Sequence, residues 1–384
     1  MNKKRVMFVF GTRPEAIKMA PVITELIKFP DILEPIIVST GQHRQMLDQV
    51  LKIFNLEPDY DLEIMEPNQS ITKIVTKTLQ GMAELLQREK PDLLLVQGDT
   101  STAFAAGLSA HYAKVPIGHV EAGLRTFDKW QPFPEEANRK LLTALSDLNF
   151  APTKTSVNNL RQEGVENKTI YLTGNTVIDA LLTTAARKYD CKRLNLAIPV
   201  NHKIVLITTH RRESFGQPMK NTCQAVARLA KEFNSEITFV LPVHQNPQVK
   251  NVVAEVLADI PNVRLVPPLD YEPFIHLMKA AEIILTDSGG VQEEAPSLGK
   301  PVLVMREKTE RPEAVKAGTV KLVGTNQEVI YQNTKRLLTN KRAYQKMCQA
   351  VNPYGDGKAA ARIIQSILYY FGVVDRKPAE FKGQ

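Results

Sequence analysis

Cysteine is scarce in this chain. Its 384 residues include three, Cys191, Cys223 and Cys348, far apart and without metal-ligand or disulfide-framework spacing. That excludes a stapled secreted scaffold and fits reduced structural thiols. Long apolar runs are also missing; none approaches the roughly 20 residues that a bilayer span requires. The basic start Asn2-Lys3-Lys4-Arg5 is followed by an apolar stretch too short for a signal peptide, and Gly11-Thr12-Arg13-Pro14-Glu15 interrupts it before any cleavage site. A cytoplasmic protein without a membrane partner is expected. The glycine-rich GxGxxG and Walker loops are absent, and no spacing implies a metal. The formal charge is +8, yet no block of basic residues or aromatic-basic interleaving marks a nucleic-acid surface. The cations recur beside glycines and at the ends of apolar runs, which suits a small anionic ligand.

What the chain does have is alternation. Val6–Phe10, Pro35–Ser39, Leu93–Val96, Pro116–Val120 and Leu148–Phe150 read as buried strands, separated by amphipathic stretches such as Glu15–Phe29, Ser70–Lys90 and Ser101–Lys114. This order predicts a parallel sheet with helices on both faces. The pattern restarts after Thr169–Thr173 with Ile204–Thr208, Ile237–Leu241, Val263–Val266, Ile283–Thr286 and Val302–Met305. The length suits two domains. The expected class is therefore α/β with two Rossmann-like, doubly wound domains, residues 1–173 and 174–357. A C-terminal helical segment, 358–384, rejoins the first. Ligands of open α/β sheets bind at the carboxyl ends of the strands, so those ends carry the functional reading.

After the first strand, Gly11-Thr12-Arg13-Pro14 offers a sharp turn, helix N–H groups for an anion and a fixed cation in Arg13. Asp99 follows the strand Leu93–Val96, and Glu121 directly extends Pro116–Val120. Glu135 and Glu136 open the next helix, where helix-dipole pairing is an ordinary role for an acid. In the second half, His210 stands at a strand end beside Arg211 and Arg212, well placed for a phosphate. His244 reads as mostly structural. Asp287-Ser288-Gly289-Gly290 leads into a helix, a cradle of N–H groups for a diphosphate. Glu294 lies where a carboxylate can accept from ribose hydroxyls.

Together these segments resemble the non-hydrolysing bacterial UDP-N-acetylglucosamine 2-epimerases. The resemblance runs through Gly11 to Pro21, Gly98-Asp99-Thr100, Gly118 to Arg125, Pro132 to Arg139, Thr173 to Ala180, His210 to Glu213, Thr286 to Lys300, Thr309 to Glu313 and Asn352 to Gly357. It implies a GT-B-like fold with a deep interdomain cleft and the last helix crossing back to the first domain. It implies an isomerase that takes UDP-N-acetylglucosamine to UDP-N-acetylmannosamine without cofactor or metal, for cell-surface polysaccharide synthesis. Asp99, Glu121, Glu135 and His210 match its catalytic groups. Arg13, Lys18, Arg139, His210, Phe274, Ser288, Gly289, Gly290, Glu294 and Arg311 match its substrate contacts, with Phe274 near the uracil. Family members are usually homodimers. Many are activated by substrate at a second, allosteric site, parts of which match Gln42, Gln45, Glu136, Arg211 and His244. A basic contact expected around Gln69 is missing.

The chemistry explains the residue types. The C2 hydrogen is not beside a carbonyl, so an ordinary carboxylate cannot remove it directly. In the route that the resemblance implies, the C1–O bond breaks first and UDP leaves, which makes that hydrogen acidic. The alkene 2-acetamidoglucal is then protonated on the other face, and UDP returns. Leaving-group charge calls for cations and N–H donors, and the sugar calls for acids and bases. Clustered carboxylates should raise one another's pKa. Asp99 and Glu121 are expected to handle the protons and Glu135 to support them. A GT-B UDP-sugar glycosyltransferase is the alternative; it shares the nucleotide site but needs an acceptor groove and usually one base. A hydrolysing 2-epimerase and a non-catalytic nucleotide-sugar sensor are more distant rivals.

Overall fold

A computed structural model describes residues 3–41, 44–66, 68–190, 194, 196–209, 211, 214–244 and 246–383, without the side chains of 44–46. Among the candidates named above, His210 and Gln42 lie outside the described residues, as does the side chain of Gln45. The chain forms two units, Met1–Ala180 with Tyr354–Gly383, and Leu181–Pro353.

The first unit is built on a seven-stranded sheet of β1 (Lys4–Phe10), β2 (Leu33–Ser39), β3 (Tyr60–Asp61), β4 (Leu93–Gln97), β5 (Ile117–Val120), β6 (Leu148–Ala151) and β7 (Ile170–Leu172). Every pairing is parallel, in the order β3-β2-β1-β4-β5-β6-β7. Apolar side chains on both faces explain why these strands read as runs rather than alternations; Val6 to Phe10 are fully buried.

The second unit repeats the plan with six parallel strands: β8 (Lys203–Thr208), β9 (Ile237–Pro242), β10 (Val263–Val266), β11 (Ala281–Thr286), β12 (Val302–Val304) and β13 (Val320–Leu322). Their order is β10-β9-β8-β11-β12-β13. In both sheets the order reverses once, between β1 and β4 and between β8 and β11. A ligand of a doubly wound sheet binds at that reversal. There the chain carries Gly11-Thr12 and Gly98-Asp99 in one unit, and Thr209 and Asp287-Ser288 in the other.

The division falls inside the helix Thr176–Ala186, beyond the line drawn at Gly174 from the sequence. The last helix belongs to the first unit and packs on the helix Arg13–Leu26. Helix Ala359–Tyr370 stops where Gly372 takes a left-handed φ of 69°. The N–H groups of Gly372 and Val373 turn back to the carbonyls of Tyr369 and Leu368, at 3.0 and 2.9 Å. This closure satisfies carbonyls that a continuing helix would have used.

Asp179 ties that helix to the unit. Its carboxyl accepts from the first N–H groups of the helix, Ala359 at 3.2 Å and Ala360 at 2.9 Å. Burial nevertheless pushes the carboxyl up to about 6 from its ordinary 3.8. The unfolded chain therefore ionises first. The stability from this group is full below pH 4 and is lost as pH rises through 6. Urea midpoints compared from pH 4 to pH 7 should show a smaller fall in Asp179→Asn than in the parent; equal slopes would remove this group from the pH dependence.

Candidate active site

Parallel pairing sets the ends of β4 and β5 side by side, with Gln97 opposite Val120. Asp99 comes two residues past that point and Glu121 one residue past it. Glu121 has a left-handed φ of 66°, an uncommon conformation for a side-chain-bearing residue. It turns the chain sharply off β5 and is only 9% exposed.

Glu121 is surrounded by donors. Lys18, from the helix after β1, reaches both carboxylate oxygens at 2.6 Å. Asn175 donates to Oε1 at 2.8 Å, and Gln97 donates to Oε2. Each of these donors favours the charged form of the carboxylate, against its burial. Asp99 differs. Burial raises its carboxyl above the ordinary aspartate value, and the charge of Glu121 adds to that, while Arg139 opposes both. Arg139 binds Asp99 Oδ2 through Nε at 3.0 Å and through a second guanidinium nitrogen. Asn138 also donates to the Asp99 carbonyl at 2.9 Å. The two carboxylates are thus neighbours in unlike surroundings.

Glu135 opens the helix Glu135–Leu145, one turn ahead of Arg139. Its Oε2 is buried and has no hydrogen-bond partner among the described residues. Glu136, fully buried, accepts from the N–H groups of Thr126 and Phe127 at 3.0 Å each and from Arg139 at 3.1 Å. Those bonds anchor the loop that leads from β5 to this helix.

The turn after β1 corrects one expectation. Two of its N–H groups, those of Gly11 and Thr12, are not open to an anion, because Glu15 takes them. Glu15 Oε2 accepts from Gly11 at 3.1 Å and Thr12 at 2.8 Å, and its Oε1 accepts from the Thr100 hydroxyl at 2.7 Å. The glutamate at the third helical position caps its own helix and ties the β1 and β4 turns together. Arg13, half-buried, has no hydrogen bond or ion pair among the described residues.

In the second unit, Ser288 caps the short helix Gly289–Glu294, and its own N–H donates to Thr286 at 2.9 Å. Both flanking guanidinium groups come near Gly289: a Cβ there would lie 3.5 Å from Arg211 and 3.7 Å from Arg311. Arg311 pairs with Glu293, and Arg211 and Arg306 contact Glu310 at 3.4 and 3.5 Å. Burial pushes Glu310 up, but the three arginines outweigh it and hold its carboxyl below the usual range. The result is a cationic rim beside a glycine helix start, a surface suited to phosphate. Glu294 is buried at the far end of that helix, and Phe274 is half-buried in the helix Tyr271–Ala280. His244 is exposed, and its Nδ1 accepts from the Asn246 N–H at 3.1 Å.

A family model described as UDP-N-acetylglucosamine 2-epimerase matches residues 27–368. The chain belongs to the UDP-N-acetylglucosamine 2-epimerase family. It is 49% identical over 384 residues to the UDP-N-acetylglucosamine 2-epimerase of Bacillus subtilis, covering 100% of both chains. The crystal structure of the Neisseria meningitidis UDP-GlcNAc 2-epimerase, bound to UDP-GlcNAc, is similar with a TM-score of 0.82 at 48% identity, covering 95% of this chain and 99% of that one. A Rickettsia africae glycosyltransferase, 15% identical with a TM-score of 0.63 over 96% of this chain and 99% of its own, shares the fold alone. The epimerase is thus GT-B-like, with two parallel α/β units.

Sequence reading missed Gln97, Asn175 and Glu15 in this epimerase. Asn175 stood within a segment noted only for its resemblance and as a boundary, and a single amide gives no sign of a distant carboxylate. The Lys18–Glu121 pair is testable. Removing one member of a buried pair costs about 3 kcal/mol or more, because the other charge is left uncompensated. Urea unfolding should show that cost in Lys18→Met, and adding Glu121→Gln should recover part of it. A double variant as unstable as the sum of the singles would show that the two do not interact.

Proposed function

We propose that the epimerase works by elimination and re-addition, in the non-hydrolysing manner. The reaction is the family's isomerisation of UDP-N-acetylglucosamine at C2. The observation that carries the mechanism is the pair of unequal, adjacent carboxylates, Asp99 and Glu121, each with its own cation.

The C1–O bond breaks with its electron pair passing to the diphosphate oxygen of UDP. Ser288, the Gly289-Gly290 helix start, Arg13, His210 and Arg311 receive that charge, and Phe274 and Glu294 hold the nucleoside. Carbon 1 becomes cation-like, and one carboxylate removes the C2 proton, leaving 2-acetamidoglucal. The other delivers a proton to the opposite face of C2. UDP then attacks C1, and no atom is gained or lost. Two carboxylates that differ in basicity can share this work, since one carries a proton while its neighbour is bare. The raised Asp99 carboxyl and the donors around Glu121 support that division of labour, with Glu135 assisting.

Substrate binding at a second, regulatory site, involving Gln42, Gln45, Glu136, Arg211 and His244, belongs to the same reading. So do a homodimer, a cytoplasmic setting and a role in supplying N-acetylmannosamine for surface polysaccharide. No helix among the described residues is long and apolar enough to cross a membrane. The nearness of Arg211 to Gly289 and to Glu310 supports a phosphate contact in either role.

Proton NMR of UDP-N-acetylglucosamine incubated with the enzyme in D₂O tests the mechanism. Deuterium should appear at C2 in a mixture of gluco and manno nucleotide sugars. Asp99→Asn and Glu121→Gln should each abolish that exchange while UDP still binds. Near-normal turnover in both variants would remove the pair from the chemistry.

A further inference from the structure

Asp99 stands on a turn rather than in a strand, so its position depends on whatever fixes Gly98. Gly98 has a left-handed φ of 70° and is held to β5 from both sides of its backbone. Its N–H donates to the Val120 carbonyl at 2.9 Å. Its carbonyl lies 2.7 Å from Nε2 of His119. His119 is 1% exposed and immediately precedes Val120 and Glu121.

A carbonyl oxygen has no proton to give, so Nε2 carries the hydrogen. Nδ1 is then bare, and it has no hydrogen-bond partner among the described residues. Burial, against the Gly98 hydrogen bond and with help from Arg125, holds the imidazole at about 4, so it is neutral under working conditions. The charged groups facing it are Arg125, Glu121 and Arg139; those facing Asp99 are Arg139, Glu121 and Lys18. A bare nitrogen in a buried site destabilises the fold, and an apolar residue would avoid that. What the imidazole adds is the bond to Gly98.

We propose that His119 is a positioning residue for the epimerase reaction: one N–H clamps the Gly98 turn to β5 and thereby fixes the Asp99 carboxyl relative to Glu121. The proposal rests on the reading of those two carboxylates as the proton carriers. His119 touches neither and takes part in no proton transfer. Its neutral, single-donor state suits a clamp, because the bond does not switch as pH changes.

Glutamine carries an amide nitrogen as far from the backbone as Nε2, whereas the asparagine amide stops at the level of Nδ1. Both put a polar group into the same buried space, so comparing them separates reach from burial. His119→Gln should keep kcat within several-fold of the parent. His119→Asn should lose about 100-fold in kcat, the scale of a small misplacement of a reacting group, with the Kd for UDP unchanged. The pH profile of kcat should shift in His119→Asn and not in His119→Gln, because Asp99 would no longer face Glu121 and Arg139 as before. Equal kcat in the two variants, or a loss of UDP binding that matches the loss of kcat, would overturn the proposal.

Nitrogen NMR of the parent enzyme with labelled histidine requires no variant to fold. It should show His119 as the neutral Nε2–H tautomer from pH 5.5 to 8.5; an Nδ1–H tautomer or a titration in that range overturns the clamp. Asp99→Asn, assayed alongside for C2 exchange, separates the two ideas. An inactive Asp99→Asn with a fully active His119→Asn sinks the positioning role alone. Exchange in Asp99→Asn sinks the carboxylate reading and this proposal with it.

Discussion

The first unit is organised around keeping a negative charge out of water without losing it. Glu121 is buried at the end of β5, in a backbone conformation that few side chains adopt. An isolated carboxylate there would take up a proton. Lys18, Gln97 and Asn175 oppose that, and they come from three different segments of the chain. The burial that makes the charge costly also strengthens its effect on Asp99 next door. One constraint thus accounts for the ion pair and for the amides that join it, and the same charge adds to the burial that raises the carboxyl at the neighbouring strand end.

The second unit meets the opposite demand with the same topology. Its sheet also reverses order once, and the loops at that point carry Arg211, Ser288 and the glycine helix start. In the first unit the corresponding loops carry acids with matched cations. In the second they carry guanidinium groups whose carboxylate partners, Glu293 and Glu310, keep the rim in place. In the proposed mechanism a diphosphate leaving group calls for cations and a cation-like sugar for acids, and each sheet has its own strand ends to carry them.

Much of this was legible in the sequence. Strands buried on both faces appear as apolar runs, so β1, β2, β4 to β6 and β8 to β12 could be read directly, and their ends pointed to Asp99, Glu121 and Ser288. The two-residue β3 and the partly exposed β13 give too little pattern to read. The end of the last helix is set by one glycine, Gly372, through its conformation rather than through hydrophobicity. The Gly11-Thr12 turn was read as one whose N–H groups can receive an anion. The acid that closes it, Glu15, was in plain view, but a capping glutamate and a spectator look alike until the side chain is placed. Gln97 and Asn175 were missed for a related reason: what they do depends on a partner in another segment.

The central claim is that Asp99 and Glu121 differ in basicity because of what surrounds them. Carbon NMR of the two side-chain carboxyls, assigned through Asp99→Asn and Glu121→Gln and followed from pH 4 to pH 9, measures this directly. The account predicts that Glu121 keeps the signature of a carboxylate throughout, while Asp99 retains its proton to a higher pH than an ordinary aspartate. An Asp99 that ionises as a free aspartate does, or a Glu121 that holds its proton to higher pH than Asp99, would contradict it.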